Sequence, residues 1–309
     1  MKEEKVATRQ SFGEELAKLG SKNKKVVVLD ADLAGATKTD IFKKEFPERH
    51  FDMGIAEQDM IGTAAGLATC GKIPYAATFA VFATGRAYDQ IRNSICYPKL
   101  NVKICGTHAG VTVGEDGATH QMREDLGLMR GLPNMTVICP SDDTQTRWAV
   151  NAISEYEGPC YLRLSRAATP IIYDEGTKFE IGKAIMHGEG TKATVFATGA
   201  VVSEALKAQE ALDKQGIDIR VVDVHTIKPI DREMIIKCAK ETDKLISIED
   251  HSMIGGLGTA ISEVLTDEYP KKLVRMGMKD EFGKSGKAMQ VLEYFGLVSK
   301  DIVDKVIEP

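Results

Sequence analysis

No apolar run in the chain approaches the ~20 residues needed to cross a bilayer, and residues 1–10 alternate charges without the apolar core of a secretory signal. The expectation is a cytoplasmic protein with no membrane partner. Cys-x-x-Cys is also missing. The six cysteines, at positions 70, 96, 105, 139, 160 and 238, have no histidine series beside them, which argues against structural zinc or a redox pair and fits a reduced compartment. Excess basic charge is missing too: 40 Lys and Arg stand against 45 Asp and Glu, for a net charge of −5. Such mixed charge offers no basic stripe to a nucleic-acid backbone, so nucleic acid is not an expected partner, although a local patch can still hold phosphate. There is no internal repeat, heptad array or low-complexity segment. Asn134-Met135-Thr136 has the spacing of a glycosylation acceptor, but without a secretory signal it reads as a turn after Pro133.

At 309 residues the chain exceeds one typical domain, and two are expected. Short β-branched runs recur at 26–29, 75–78, 102–105, 135–138 and 161–164, each followed by a helical period. That alternation predicts a largely parallel sheet with helices on its faces. Helices are signalled at 62–67, at 87–96, and after Ser141-Asp142-Asp143, where a serine cap precedes acidic first-turn residues. Between Leu164 and Gly190 turn formers dominate, which reads as an interdomain connection. A second series follows, with strands at 193–197, 217–222, 245–249 and 273–276 and helices near 203–215, 231–241 and 258–268. The expected fold class is α/β, with two domains, residues 1–175 and 185–309, each a mostly parallel sheet flanked by helices, divided at about residue 180.

Asp52-Met53-Gly54-Ile55-Ala56-Glu57-Gln58 places a glutamate where a strand-like run gives way to a small-residue helix, and Thr78-Phe79-Ala80-Val81-Phe82 follows about one βα unit later. Alone, Glu57 reads as a helix-start acid and the two phenylalanines as core. Together they suggest a thiamine diphosphate site, whose aminopyrimidine needs a carboxylic acid for one ring nitrogen and an aromatic wall. The run Gly62-Thr63-Ala64-Ala65-Gly66 leaves little bulk on the helix behind Glu57, which permits close approach of another subunit. The loop 106–121 follows a buried-looking strand and carries four glycines, two histidines and two acids. It lies where parallel sheets bind ligands, and substrate recognition is favoured over metal ligation by His108, Asp116 and His120. Gly283-Lys284-Ser285 resembles the end of a P-loop, yet the required first glycine would fall on Met278. Gly255-Gly256-Leu257-Gly258 could cradle an anion, but a structural turn is favoured, and His251 is expected to be a solvated or packed loop histidine.

These segments together resemble the carboxyl-terminal part of transketolase over essentially the whole chain. The most specific are Gly54-Ile55-Ala56-Glu57-Gln58, Gly114-Glu115-Asp116-Gly117-Ala118-Thr119-His120-Gln121, Leu132-Pro133-Asn134-Met135 and Leu164-Ser165-Arg166. The resemblance implies a pyrimidine-binding domain followed by the family's carboxyl-terminal domain, with thiamine diphosphate held between chains. By it, Glu57 protonates the pyrimidine ring nitrogen, Phe79 and Phe82 pack on the ring, and Asp32 lies near the cofactor and the donor sugar unless it is a strand-end cap. His120 and Asp116 would contact donor hydroxyls; Arg9, His108 and Arg166 would receive the sugar phosphate.

Three departures accompany the resemblance. The family's diphosphate and magnesium motif, Gly-Asp-Gly followed roughly 25 to 30 residues later by Asn, does not occur, so this chain is expected to hold no metal itself. A family serine that contacts phosphate falls near Ala36, with Thr37 adjacent, and Gly85 replaces an aromatic. Arg86-Ala87-Tyr88-Asp89-Gln90 looks closer to deoxyxylulose-phosphate synthase. The expectation is the carboxyl-terminal subunit of a split transketolase of the pentose phosphate pathway, paired with an amino-terminal subunit that supplies the diphosphate and Mg2+ half, the pair dimerising to a heterotetramer, with sugar phosphates as substrates. A 2-oxo acid dehydrogenase β subunit, a deoxyxylulose-phosphate synthase fragment and a non-catalytic scaffold are the rivals.

Overall fold

In the computed structural model, which describes residues 1–308, the β-branched runs become two parallel-rich sheets. β1 (Lys5–Ala7) is followed by β2 (Val26–Asp30), β3 (His50–Asp52), β4 (Ile73–Phe79), β5 (Lys103–Thr107), β6 (Thr136–Ile138) and β7 (Cys160–Arg163). Strands β2 to β7 lie parallel in the order β6-β7-β5-β4-β2-β3. β8 (Ala168–Pro170) turns back to pair antiparallel with β1. Then come β9 (Ile185–His187), β10 (Ala193–Ala197), β11 (Ile219–Asp223), β12 (Thr226–Lys228), β13 (Lys244–Ser252) and β14 (Leu273–Met278). The second sheet has the order β14-β13-β10-β11-β9 and is parallel except at β9. Every residue of β2, β5, β10 and β11 is buried. Helices cover both faces of such strands, which is why they read as unbroken apolar runs.

Four local readings change. β12 leaves the second sheet and pairs antiparallel with β6, so the second half of the chain supplies an edge strand to the first sheet. The turn-rich connection contains β8 and β9, three-residue strands too short to show a period of two. The cap of helix Asp143–Glu155 is Asp142, whose carboxylate takes the Gln145 N–H at 2.8 Å; Ser141 instead sends its hydroxyl to Asp223 at 2.8 Å. Asp142 wins because its second oxygen also takes the Ile172 and Tyr173 N–H groups, at 2.8 and 2.9 Å. His251, expected as a solvated or packed loop histidine, lies in the strand β13 instead of a loop, and it is packed and fully buried.

The glycine turn 255–258 does hold an anion, and the anion belongs to the chain. Glu249, at the middle of β13, accepts the Leu257 and Gly258 N–H groups at 2.7 and 2.9 Å at the start of helix Leu257–Glu268. Burial nevertheless pushes its carboxyl up to about 7, since two amide donors only partly replace water.

His225, just before β12, is buried against Trp148 and Phe179, with ring centroids 5.0 and 6.0 Å away. Its Nε2 has no hydrogen-bond partner, and burial holds its pKa down to about 4. The folded imidazole therefore resists a proton that the unfolded one accepts below its ordinary pKa of 6.5. Its stabilising contribution is complete above that value and is lost as pH falls toward 4. A His225→Phe chain is expected to lose about 2 kcal/mol less stability than the parent between pH 7 and pH 5, read by urea denaturation at both pH values. Equal losses would show that His225 takes up its proton as readily in the fold as in the unfolded chain.

Candidate active site

The carboxyl ends of the parallel strands β2, β3, β4, β5 and β7 present one cluster of side chains, as doubly wound sheets do. Glu57 is the first residue of helix Glu57–Thr69 and is 1 % exposed. Arg86 Nη1 lies 2.8 Å from both of its carboxylate oxygens. The same guanidinium stands 4.6 Å from the centre of the Phe82 ring. Phe82 opens a π-helical turn, Phe82–Arg86, and such widened turns recur at functional sites. Phe79 ends β4, and its ring lies parallel to that of Phe82, 5.8 Å away with 8° between planes. A half-buried Phe82 beside a buried Phe79 gives an apolar wall with one accessible face.

His108 follows β5 in the left-handed region (φ 56°), which is uncommon for a non-glycine residue and aims its ring onto Phe79, 3.8 Å between centroids. Its Nε2 lies 3.3 Å from Arg9 Nη1 and its Nδ1 2.9 Å from the Thr107 hydroxyl. Burial, then the cations Arg9 and Arg166, press its pKa down to about 3. His108 is neutral at physiological pH. Because Arg9 can only donate, Nε2 accepts and the ring proton sits on Nδ1. Arg9 Nη1 also bonds the Ala36 carbonyl at 2.7 Å. Arg166 donates to the Val113 carbonyl and faces Glu115 and Asp116 at 3.4 and 3.8 Å. His120 presents an edge to Phe82 and Phe79, at 5.6 and 6.4 Å.

Contacts thus link Glu57, Arg86, Phe82, Phe79, His120, His108 and Arg9 in one chain, with Arg166 and Asp116 paired beside it. Asp32 stands exposed past the end of β2 (φ 59°), its N–H on Asp52 at 3.1 Å. The cap role belongs to Asp30, which takes the Leu33 N–H at 2.5 Å and the Thr37 and Thr39 hydroxyls at 2.8 and 3.0 Å. Thr37 is fully buried by that bond, so its hydroxyl does not face the site. Arg86 had no assigned role in the sequence; its signal is its position four residues after Phe82, one wide turn on.

The donor set suits the base-like end of thiamine diphosphate: a buried carboxylate and an aromatic wall converge, with a half-exposed cation now between them. It does not suit the metal. Among the described residues no group of three or more His, Cys, Asp or Glu side chains is arranged to hold an ion.

Residues 4–171 match the family model for the transketolase pyrimidine-binding domain, and residues 182–302 match that for the transketolase carboxyl-terminal domain. The chain belongs to the transketolase family. That family is thiamine diphosphate-dependent, and this chain corresponds to its carboxyl-terminal section. It is 52 % identical over 303 residues to a putative transketolase C-terminal section of Methanocaldococcus jannaschii, covering 97 % of this chain and 95 % of that one. A Clostridium protein named as a 6-deoxy-6-sulfo-D-fructose transketolase subunit is 42 % identical, covering 96 % and 92 %. Human transketolase is 38 % identical over 98 % of this chain but 49 % of its own length, so the chain spans about half of such full-length relatives. Among solved structures, a split-gene transketolase described as an inactive β4 tetramer superposes with a TM-score of 0.91 at 51 % identity, covering 97 % of both chains. Campylobacter jejuni transketolase gives 0.84 at 26 % identity over 99 % of this chain and 47 % of that one.

Proposed function

We propose that this chain is the half of a thiamine diphosphate-dependent transketolase that grips the pyrimidine and the donor sugar, and that it works with a separate amino-terminal subunit. The observation that carries the reading is the meeting of the buried Glu57 carboxylate with the parallel Phe79 and Phe82 rings at one rim of the first sheet. Residues 1–175 form the pyrimidine-binding unit in this reading, and 185–309 the carboxyl-terminal one. The partner holds the diphosphate and Mg2+. The face bearing exposed Ile55 and the open Gly62 and Gly66 suits packing against a second subunit, which makes a heterotetramer the expected assembly. Six free cysteines agree with a cytoplasmic location.

When bound, thiamine diphosphate supplies the nucleophile that accepts a two-carbon ketol unit from a ketose phosphate and passes it to an aldose phosphate. Glu57 would give a proton to a ring nitrogen, and Arg86, 2.8 Å from both carboxylate oxygens, would pair with the charge left behind. Phe79 and Phe82 hold the ring and exclude water. Asp32 orients the donor near the cofactor. His120 and Asp116 take donor hydroxyls, while Arg9 and Arg166 bind the terminal anion through their guanidinium forks, with neutral His108 holding Arg9 and adding no charge.

The assembled pair is expected to turn over xylulose 5-phosphate with ribose 5-phosphate, as in the pentose phosphate pathway. A parallel assay with a 6-sulfo ketose tests the anion end, since a sulfonate would fit the same arginines. Turnover of pyruvate alone, with an artificial electron acceptor, would instead make the chain an oxo-acid dehydrogenase subunit. Calorimetry on the isolated chain is expected to show no tight uptake of the cofactor with Mg2+; tight uptake would contradict the divided site.

A further inference from the structure

The loop of residues 110–121 is held near both of its ends by the other half of the chain. At its base the Asp250 carboxylate takes the Val111 N–H at 2.8 Å and the Thr112 hydroxyl at 3.2 Å. Gly110 sits so close, in the left-handed region (φ 73°), that a methyl group there would lie 2.1 Å from Asp250 Oδ2. Asp250 is itself buried, and its backbone carbonyl accepts Arg163 Nη2 at 2.7 Å. At the far end Gln121 donates from Nε2 to the carbonyls of Val111, Gly114 and Lys284, at 3.3, 3.4 and 2.8 Å. A methyl group at Gly283 would stand 1.6 Å from Gln121 Oε1, and one at Gly117 2.3 Å from Ser285 Oγ. The segment 283–286, which has the look of a P-loop fragment, is a backbone strap laid across the loop.

We propose that the second domain positions the substrate loop of the first, Asp250 fixing its base and the 283–286 strap its tip. This rests on the reading of that loop as the donor-sugar contact. Asp250, Gln121 and Gly283 are positioning residues, and the loop carries Asp116 and His120 to their places. A displacement of about 1 Å in such a loop costs affinity well before it costs fold.

The test is Gly283→Ala in the full chain, studied alone and assembled with its amino-terminal partner. Alone, the amides of residues 110–121 are expected to exchange with deuterium about tenfold faster, while those of β2 and β10 keep their rates. Assembled, the donor KM rises about tenfold with kcat within about twofold of the parent. In a Gln121→Ala background the same substitution adds nothing, because the oxygen it meets is gone. Thr112→Val speeds exchange at the base and Thr112→Ser restores it. Unchanged exchange over 110–121 overturns the proposal, as does faster exchange everywhere with kcat and KM damaged together. If the assembled parent shows no ketol transfer, the donor-sugar reading fails on its own account, and the exchange experiment still decides whether the strap holds the loop.

Discussion

Exchanging Glu57 for glutamine in the assembled enzyme is expected to lower kcat by about 10²- to 10⁴-fold, the usual range for removing a positioned acid or base. The substitution keeps the volume of a side chain that is 1 % exposed, so packing at the start of helix Glu57–Thr69 survives. What it removes is the ionisable oxygen. An amide cannot hand a proton to a ring nitrogen and take it back, and it gives the Arg86 guanidinium no opposite charge. Steady-state assay at saturating donor reads the effect. Activity equal to the parent would strip Glu57 of its role, and with it the mechanism proposed here.

Position along the chain made part of this arrangement legible. Parallel strands buried on both faces announce themselves as apolar runs, and their carboxyl ends are where ligands gather, so Glu57, Phe79 and His108 could be placed at one rim without coordinates. The contacts between those residues could not be so placed. Arg86 meets Glu57 through a π-helical turn whose extra residue has no sequence signature. Asp30 and Asp32 are two positions apart on a strand end, and only the fold shows that the first is buried in three hydrogen bonds while the second faces solvent. Asp250 is more than a hundred residues from Val111, and neither segment has any local feature that names the other. The same holds for β12, whose three residues take their place from β6 rather than from their own pattern. Local periodicity shows what a segment forms; a buried polar contact across the chain depends on two segments at once.

Replacing Arg163 by methionine is expected to destabilise the chain by about 3–5 kcal/mol, read as a lowered urea midpoint. Arg163, at the end of β7, is 5 % exposed and donates from Nε to Asp125 Oδ2 at 2.8 Å; the Tyr161 hydroxyl reaches the same oxygen at 2.8 Å. Methionine fills much of the space but leaves Asp125, fully buried, with one neutral donor and with His251 at 3.8 Å, whose pKa burial holds down to about 4. A charge deprived of its counter-ion there has no water to turn to. Exchanging both partners for apolar residues, Asp125→Leu with Arg163→Met, is expected to recover most of that loss, because the stranded charge is what costs. Breaking an exposed pair such as Lys214 and Glu210, 2.9 Å apart, should by contrast leave the urea midpoint nearly where it was. The single Arg163 substitution also cuts the bond to the Asp250 carbonyl, so its effect on donor KM should exceed that of a surface change of equal thermal cost. A parent-like urea midpoint for Arg163→Met would mean that water enters to solvate Asp125, and that the ion pair contributes nothing to the stability of the first domain.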